Sequence, residues 1–155
     1  MQNFTFYNPT RIEFGKGKES NIGEYVKSFG IGDVLVLYGS ERIKKDGLFG
    51  RVTASLEGQD ISFKALGGVV SNPVISLVRD AVKVVKEHNL QGIVAVGGGS
   101  VADSAKAIAA GAKYDGDVWD FFVGKAIVKD AIPVFTIMTL AATGSEMNPY
   151  GVVTN

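Results

Sequence analysis

Short continuous apolar runs alternate along this chain with stretches whose apolar residues recur three or four positions apart. The runs at 34–38 (Val-Leu-Val-Leu-Tyr) and 92–96 (Gly-Ile-Val-Ala-Val) lack polar alternation, the pattern of strands buried on both faces of a parallel sheet. Further strands are predicted over 61–66 and 133–140. Between them, Ile22, Tyr25, Val26 and Phe29 mark one face of a helix that stops at Gly30, and Leu48, Phe49, Val52 and Leu56 mark a second. Val78, Ala81, Val82 and Val85 fit a third helix, opened by Asn72 as N-cap and Pro73 as first helical residue, positions that suit both side chains. Val101, Ala105, Ile108, Ala109 and Ala112 define a fourth, and 118–122 a short helical piece. Residues 3–8 and 11–14 alternate in strand fashion around Pro9-Thr10, and 150–154 reads as a hairpin strand. The alternation predicts an α/β fold, an open and mostly parallel Rossmann-like sheet with helices on both faces, plus an N-terminal strand pair.

This order brings three turns to the carboxyl edge of the sheet, where ligands of such folds bind. They are Gly39-Ser40, the run Gly97, Gly98, Gly99, Ser100, and residues 139–146 (Thr-Leu-Ala-Ala-Thr-Gly-Ser-Glu). A ligand-free strand-to-helix turn needs only one glycine. Three in a row let a ligand approach the backbone, and the helix start that follows offers unpaired N–H groups and positive partial charge, the makings of a pyrophosphate cradle. Ser100 as N-cap with Asp103 three positions on reads as a capping box. The spacing is not that of a Walker loop, and no G-x-G-x-x-G follows the first apolar strand.

Composition narrows the ligand classes. At 155 residues and 46% hydrophobic the chain is one domain's worth, with a core to bury. Sixteen basic residues balance sixteen acidic ones without a long Lys or Arg run, which argues against nucleic acid as a partner. The absence of cysteine rules out disulfides and thiolate metal sites and fits the cytoplasm. No apolar run approaches the ~20 residues that span a bilayer, so no membrane partner is expected. The single histidine, His88, falls at the end of an amphipathic helix and cannot build a His-based metal site, so no metal ligand is assigned.

Four motifs carry a resemblance: the opening residues 3–17 (Asn-Phe-x-Phe-x-Asn-Pro-Thr-x-Ile-x-Phe-Gly-x-Gly), Asn72-Pro73, residues 97–106 (Gly-Gly-Gly-Ser-x-x-Asp-x-Ala-Lys), and residues 142–148 (Ala-Thr-Gly-Ser-Glu-x-Asn). Together they resemble the iron-containing, or group III, alcohol dehydrogenases of the dehydroquinate synthase-like superfamily, most of all the branch of NADP-preferring aldehyde reductases and butanol dehydrogenases. The resemblance implies hydride exchange between a nicotinamide cofactor and a small primary alcohol or aldehyde, with iron or zinc polarising the oxygen. By the same resemblance Gly97, Gly98, Gly99 and Ser100 hold the pyrophosphate, and Asn72, Thr139, Leu140, Thr143 and Ser145 line the rest of the groove. Asp103 lies toward the nicotinamide end as the one candidate catalytic residue, with helix capping as its alternative role. Lys106 is expected to be a solvated helix residue, and Glu146 and Asn148 to order their turn through backbone hydrogen bonds.

An acid at the end of the first buried strand would accept hydrogen bonds from the adenosine ribose and repel a 2′-phosphate. Position 39 is glycine. Gly39, Ser40 and Arg42 therefore favour NADP(H) over NAD(H), with Arg42 pairing the phosphate, while Glu41 is placed to take ribose hydroxyls instead. Family members are longer and hold their metal in a C-terminal helical domain whose positions this chain lacks. Residues 1–155 thus read as the dinucleotide-binding domain, stopping near its C-terminal end, inactive alone but able to bind dinucleotide weakly. A homodimer through the strand at 3–8 is a further expectation from the resemblance. The alternatives are a free-standing nucleotide-binding module and a polyol dehydrogenase or dehydroquinate synthase-like enzyme, against which residues 142–148 speak.

Overall fold

The computed structural model describes residues 3–5 and 7–155. Among them four strands, β1 (Asp33–Tyr38), β2 (Ser62–Leu66), β3 (Gly92–Gly97) and β4 (Val134–Met138), form one sheet in the order β2-β1-β3-β4. All three pairings are parallel, with Leu35 opposite Lys64 and Ile93, and Val94 opposite Phe135. The connecting helices are α1 (Ile22–Ser28), α2 (Arg42–Lys45), α3 (Leu48–Glu57), α4 (Ile75–Glu87), α5 (Gly99–Ala112) and α6 (Trp119–Phe122).

The period-two geometry of strands divides the sheet's side chains between two cores. Leu35, Leu37, Ile93 and Ala95 pack against Val78, Ala81 and Val85 of α4 and Val101, Ala105 and Ile108 of α5. Val34, Val36, Tyr38, Val94 and Val96 face the other way, against Ile22 and Val26 of α1, Val52 and Leu56 of α3, and Ile43 of α2. Both faces are covered, as the unbroken apolar runs require. The chain leaves β1 toward one side to make β2, and leaves β3 toward the other to make β4. The direction of winding therefore reverses between β1 and β3, opening a crevice at their carboxyl ends.

Several boundaries differ from expectation. Residues 3–5 and 7–14 join no strand, and Phe6, within the predicted first strand, lies outside the described residues. An alternating pattern permits a strand, but a strand needs a neighbouring backbone. Asn8 instead turns the chain, accepting from the Thr10 amide at 2.9 Å while its Nδ2 donates to the Met147 carbonyl at 2.8 Å. Residues 150–154 make no hairpin; only Thr154 bridges, in parallel, to Val74. That bridge also displaces the start of α4. The Thr154 amide donates to the Pro73 carbonyl at 2.7 Å and the Ile75 amide to the Thr154 carbonyl at 2.8 Å. Val74 is thereby held extended, Asn72 sits left-handed at φ 57°, and the N-cap is Val74 rather than Asn72. Among the described residues no helix is long and apolar enough to cross a membrane.

Candidate functional site

The glycine run ends β3 and begins α5, and its three residues do different work. A Cβ on Gly97 would lie 2.5 Å from Cγ2 of Val101, so glycine there is what lets the first turn of α5 pack on the strand it has just left. A Cβ on Gly98 would meet nothing within 4 Å, so this residue faces open space. A Cβ on Gly99 would stand 3.4 Å from Thr143 Oγ1, which brings the turn after β4 against the glycine run. Gly98 has φ −91° and ψ −167°, an extended conformation open to any residue. What the run supplies is close approach rather than unusual backbone angles.

The cap also differs from the predicted box. Gly98 is the N-cap, no side chain caps α5, and Ser100 lies inside the helix, where its carbonyl accepts from Ser104 Oγ at 2.9 Å. The Val101 and Ala102 amides both donate to the Gly98 carbonyl, at 3.0 and 3.2 Å. Among the described residues no acceptor faces the amides of Gly98, Gly99 and Ser100. Three unpaired donors at the positive end of a 14-residue helix form a seat for an anionic oxygen.

The neighbouring turn after β1 closes on the same crevice. The Gly39 carbonyl accepts from the Gly68 amide at 2.8 Å, and a Cβ at position 39 would meet the Val69 carbonyl at 3.2 Å and Val101 at 3.8 Å. Ser40, Glu41 and Arg42 are exposed. Glu41 is already engaged, accepting from the Tyr38 hydroxyl at 2.9 Å and pairing with Lys44 at 2.8 Å. The Lys44 ammonium, with the Tyr38 hydroxyl second, holds the Glu41 carboxyl below the usual range, and Glu41 in turn raises Lys44. Lys44 also sits over the rings of Tyr38 and Phe49.

On the far side, the Thr139 amide donates to the Gly97 carbonyl at 3.0 Å, which carries the β3–β4 ladder to its carboxyl end. Leu140 and Thr143 are exposed beyond it. Asn72 is exposed in the loop between β2 and α4. Gly39, the glycine run, Thr139 and Thr143 thus share one crevice, and no hydrogen bond among the described residues brings Asn72 into it.

Ser145, Asp103 and Lys106 form a unit that the sequence reading did not foresee. The Ser145 hydroxyl, 4% exposed, donates to Asp103 Oδ1 at 2.5 Å, and the Val152 amide donates to Oδ2 at 3.1 Å. Lys106 is not a solvated helix residue. Its ammonium donates to the carbonyls of Ser145 at 2.9 Å, Asn148 at 3.2 Å and Tyr150, and pairs with Asp103 at 3.4 Å. Asp103 caps nothing. Asn148 behaves as expected, donating to the Gly144 carbonyl at 2.8 Å and accepting from the Tyr150 amide at 3.0 Å. Glu146 keeps Oε2 buried without a partner. One signal was present in the sequence: Asp103 and Lys106 are the only charged residues in an otherwise apolar and small α5, three positions apart and so on one face.

The residues present do not fit a divalent metal, since no group of three His, Cys, Asp or Glu side chains gathers among the described residues. His88 is the exposed C-cap of α4, at the opposite edge of the sheet. A groove of about 660 Å³ at that edge, lined by Lys86, Gln91, Lys113 and Asp130 among others, holds none of the predicted site residues.

Residues 9–155 match the family profile described as iron-containing alcohol dehydrogenase. The chain is 48% identical over its full length to the Bacillus subtilis protein named "Probable NADH-dependent butanol dehydrogenase 2", of which it spans 40%. It is 39% identical, over 99% of its length, to the NADPH-dependent aldehyde reductase YqhD of Escherichia coli, spanning 39% of that protein. The crystal structure of NADH-dependent butanol dehydrogenase A from Thermotoga maritima superposes on the whole chain with a TM-score of 0.98 at 50% identity, and the chain covers 39% of it. The chain therefore spans about 40% of the length of the relatives it matches. With a crevice at the reversal between β1 and β3, a glycine run seated in it, and a profile match over nearly every residue, this chain belongs to the iron-containing alcohol dehydrogenase family.

Proposed function

We propose that this chain binds NAD(P)(H) as the cofactor-holding part of an alcohol dehydrogenase or aldehyde reductase. The amides of Gly98, Gly99 and Ser100 hold the pyrophosphate, Gly39 and Ser40 receive the adenosine ribose, and Thr139, Leu140, Thr143 and Ser145 line the groove beyond. Asn72 flanks it from the loop before α4. The bound nicotinamide supplies or accepts the hydride exchanged with a small primary alcohol or aldehyde. The observation that carries this reading is the open Gly98, with unpaired amides around it, at the point where the winding of the sheet reverses.

The experiment follows from the geometry of that residue. The extended backbone at Gly98 suits a β-branched residue and a Cβ there meets nothing within 4 Å, so Gly98→Val should fold while its side chain fills the seat. NADPH and NADH affinity, read by calorimetry, falls at least tenfold while the melting temperature stays within about 2 °C of wild type. Wild-type affinity retained in Gly98→Val would overturn the seat.

NADPH is favoured over NADH, because no carboxylate stands at position 39 and Arg42 is exposed beside it, while Glu41 is occupied by Tyr38 and Lys44. The relatives' names divide between the two cofactors, so the ratio of the two wild-type affinities is the direct check. A cytoplasmic setting and a homodimer through the N-terminal arm belong to the same reading. A second reading, a nucleotide-binding module without chemistry of its own, is favoured by the absence of a metal-holding cluster among the described residues. NADPH oxidation with an aldehyde and added Zn²⁺ or Fe²⁺, run on this chain and on one extended to the relatives' length, separates them: turnover only in the longer chain supports the first.

A further inference from the structure

We infer that Asp103 and Lys106 are positioning residues, a two-residue clamp on α5 that fixes the segment 144–152 and so sets the place of Thr143 and Ser145 at the cofactor crevice. This rests on the cofactor reading above and reassigns Asp103 from chemistry to support.

Lysine carries three donors and no acceptor. Here three main-chain carbonyls from one segment, those of Ser145, Asn148 and Tyr150, converge on the Lys106 ammonium, with Asp103 beside it. Those donors are consumed, so this lysine, although on the helix that opens at the anion seat, has nothing left for a phosphate. Asp103 is committed in the same way, one carboxylate oxygen to the Ser145 hydroxyl and the other to the Val152 amide. The segment is pressed close against α5: a Cβ on Gly151 would stand 3.6 Å from the Asp103 carbonyl and 3.7 Å from its Cβ.

Both ends of the clamped stretch have work to do. Toward its start, Thr143 Oγ1 faces Gly99 across the crevice. Just beyond its end, Thr154 bridges to Val74 and fixes the backbone of Pro73 and Ile75, next to Asn72. Polar main chain that is not in a ladder must find other partners, and the two charged side chains of α5 provide them. Charge-assisted hydrogen bonds are stronger than neutral ones, so two residues suffice to hold nine.

The test compares Lys106→Met and Asp103→Asn with wild type in the full chain, reading amide hydrogen exchange and NADPH affinity on the same samples. In both variants the Val152 and Tyr150 amides exchange at least tenfold faster while the β1 and β3 amides stay protected, and NADPH binds at least fivefold more weakly. Faster exchange with NADPH affinity unchanged would make the clamp a fastening with no bearing on the site, and would overturn the inference. Weaker NADPH binding in Asp103→Asn with the 144–152 amides still protected would mean that Asp103 meets the cofactor directly, which also overturns it. Failure of wild type to bind NADPH or ADP would instead overturn the cofactor reading, and the clamp's service to it would fall with that.

Discussion

Adjacent glycines in this chain differ in what a methyl group would meet, and the difference separates stability from binding. At position 97 a Cβ would collide with Val101, which is buried under the sheet, whereas at 98 it would point into the crevice. Gly97→Ala should therefore cost about 1–3 kcal/mol through overpacking, measured as a lower denaturant midpoint at unchanged slope, and Gly98→Ala should cost well under that. Equal losses at both positions would show that the first turn of α5 yields to accommodate the methyl. The sequence displays three identical letters. Their separate roles follow from where Val101 and Thr143 arrive in space.

Elements are tied to one another by few charged contacts, and one of them makes stability depend on pH in a definite direction. Arg79 of α4 forks onto Asp117, just before α6, with Nη2 to Oδ2 at 2.8 Å and Nε at 3.1 Å from both oxygens. The Arg79 guanidinium, with the Trp119 amide second, holds the Asp117 carboxyl below its usual range. Glu19 is lowered likewise, first by a backbone hydrogen bond and then by Arg51. A carboxylate with a lower pKa folded than unfolded binds protons better unfolded. Its contribution is therefore complete above the unfolded value and lost as pH falls through the folded one. Stability should decline below about pH 4, and Asp117→Asn should flatten part of that decline in acid denaturation followed by circular dichroism. Both side chains of the pair are partly exposed, so the flattening should be small and should shrink further at high salt. An acid profile identical to wild type would mean that the fork contributes nothing net.

The whole molecule leaves apolar side chains outside its two cores. Phe4, Tyr7 and Phe14 are more than four-fifths exposed in an N-terminal arm whose described residues join no strand. Scattered exposed apolar residues are ordinary, but three large aromatic side chains on one short arm are a sticky surface. Light scattering on the purified chain should show association that rises with concentration, and a Phe4→Ser, Phe14→Ser double variant should shift it toward monomer without lowering the melting temperature. An unchanged mass in the variant would move the contact away from the arm.

The alternation of buried runs and helical faces, by itself, determined the α/β class, the four sheet strands and the helices between them apart from the single turn α2, because period and burial are local properties of sequence. The four motifs at 3–17, 72–73, 97–106 and 142–148 pointed to the family that the profile match shows. Tertiary structure alone decided the rest. Residues 3–8 alternate like a strand, yet those of them that the structure describes pair with no strand, and Asn72-Pro73 is an apt helix start overruled by the bridge to Thr154. A lone lysine on a helix is usually solvated, yet Lys106 is spent on three carbonyls about 40 positions downstream. No local pattern encodes a contact across that separation, since it depends on where β4 and α5 deliver the backbone, and only the packed sheet fixes that.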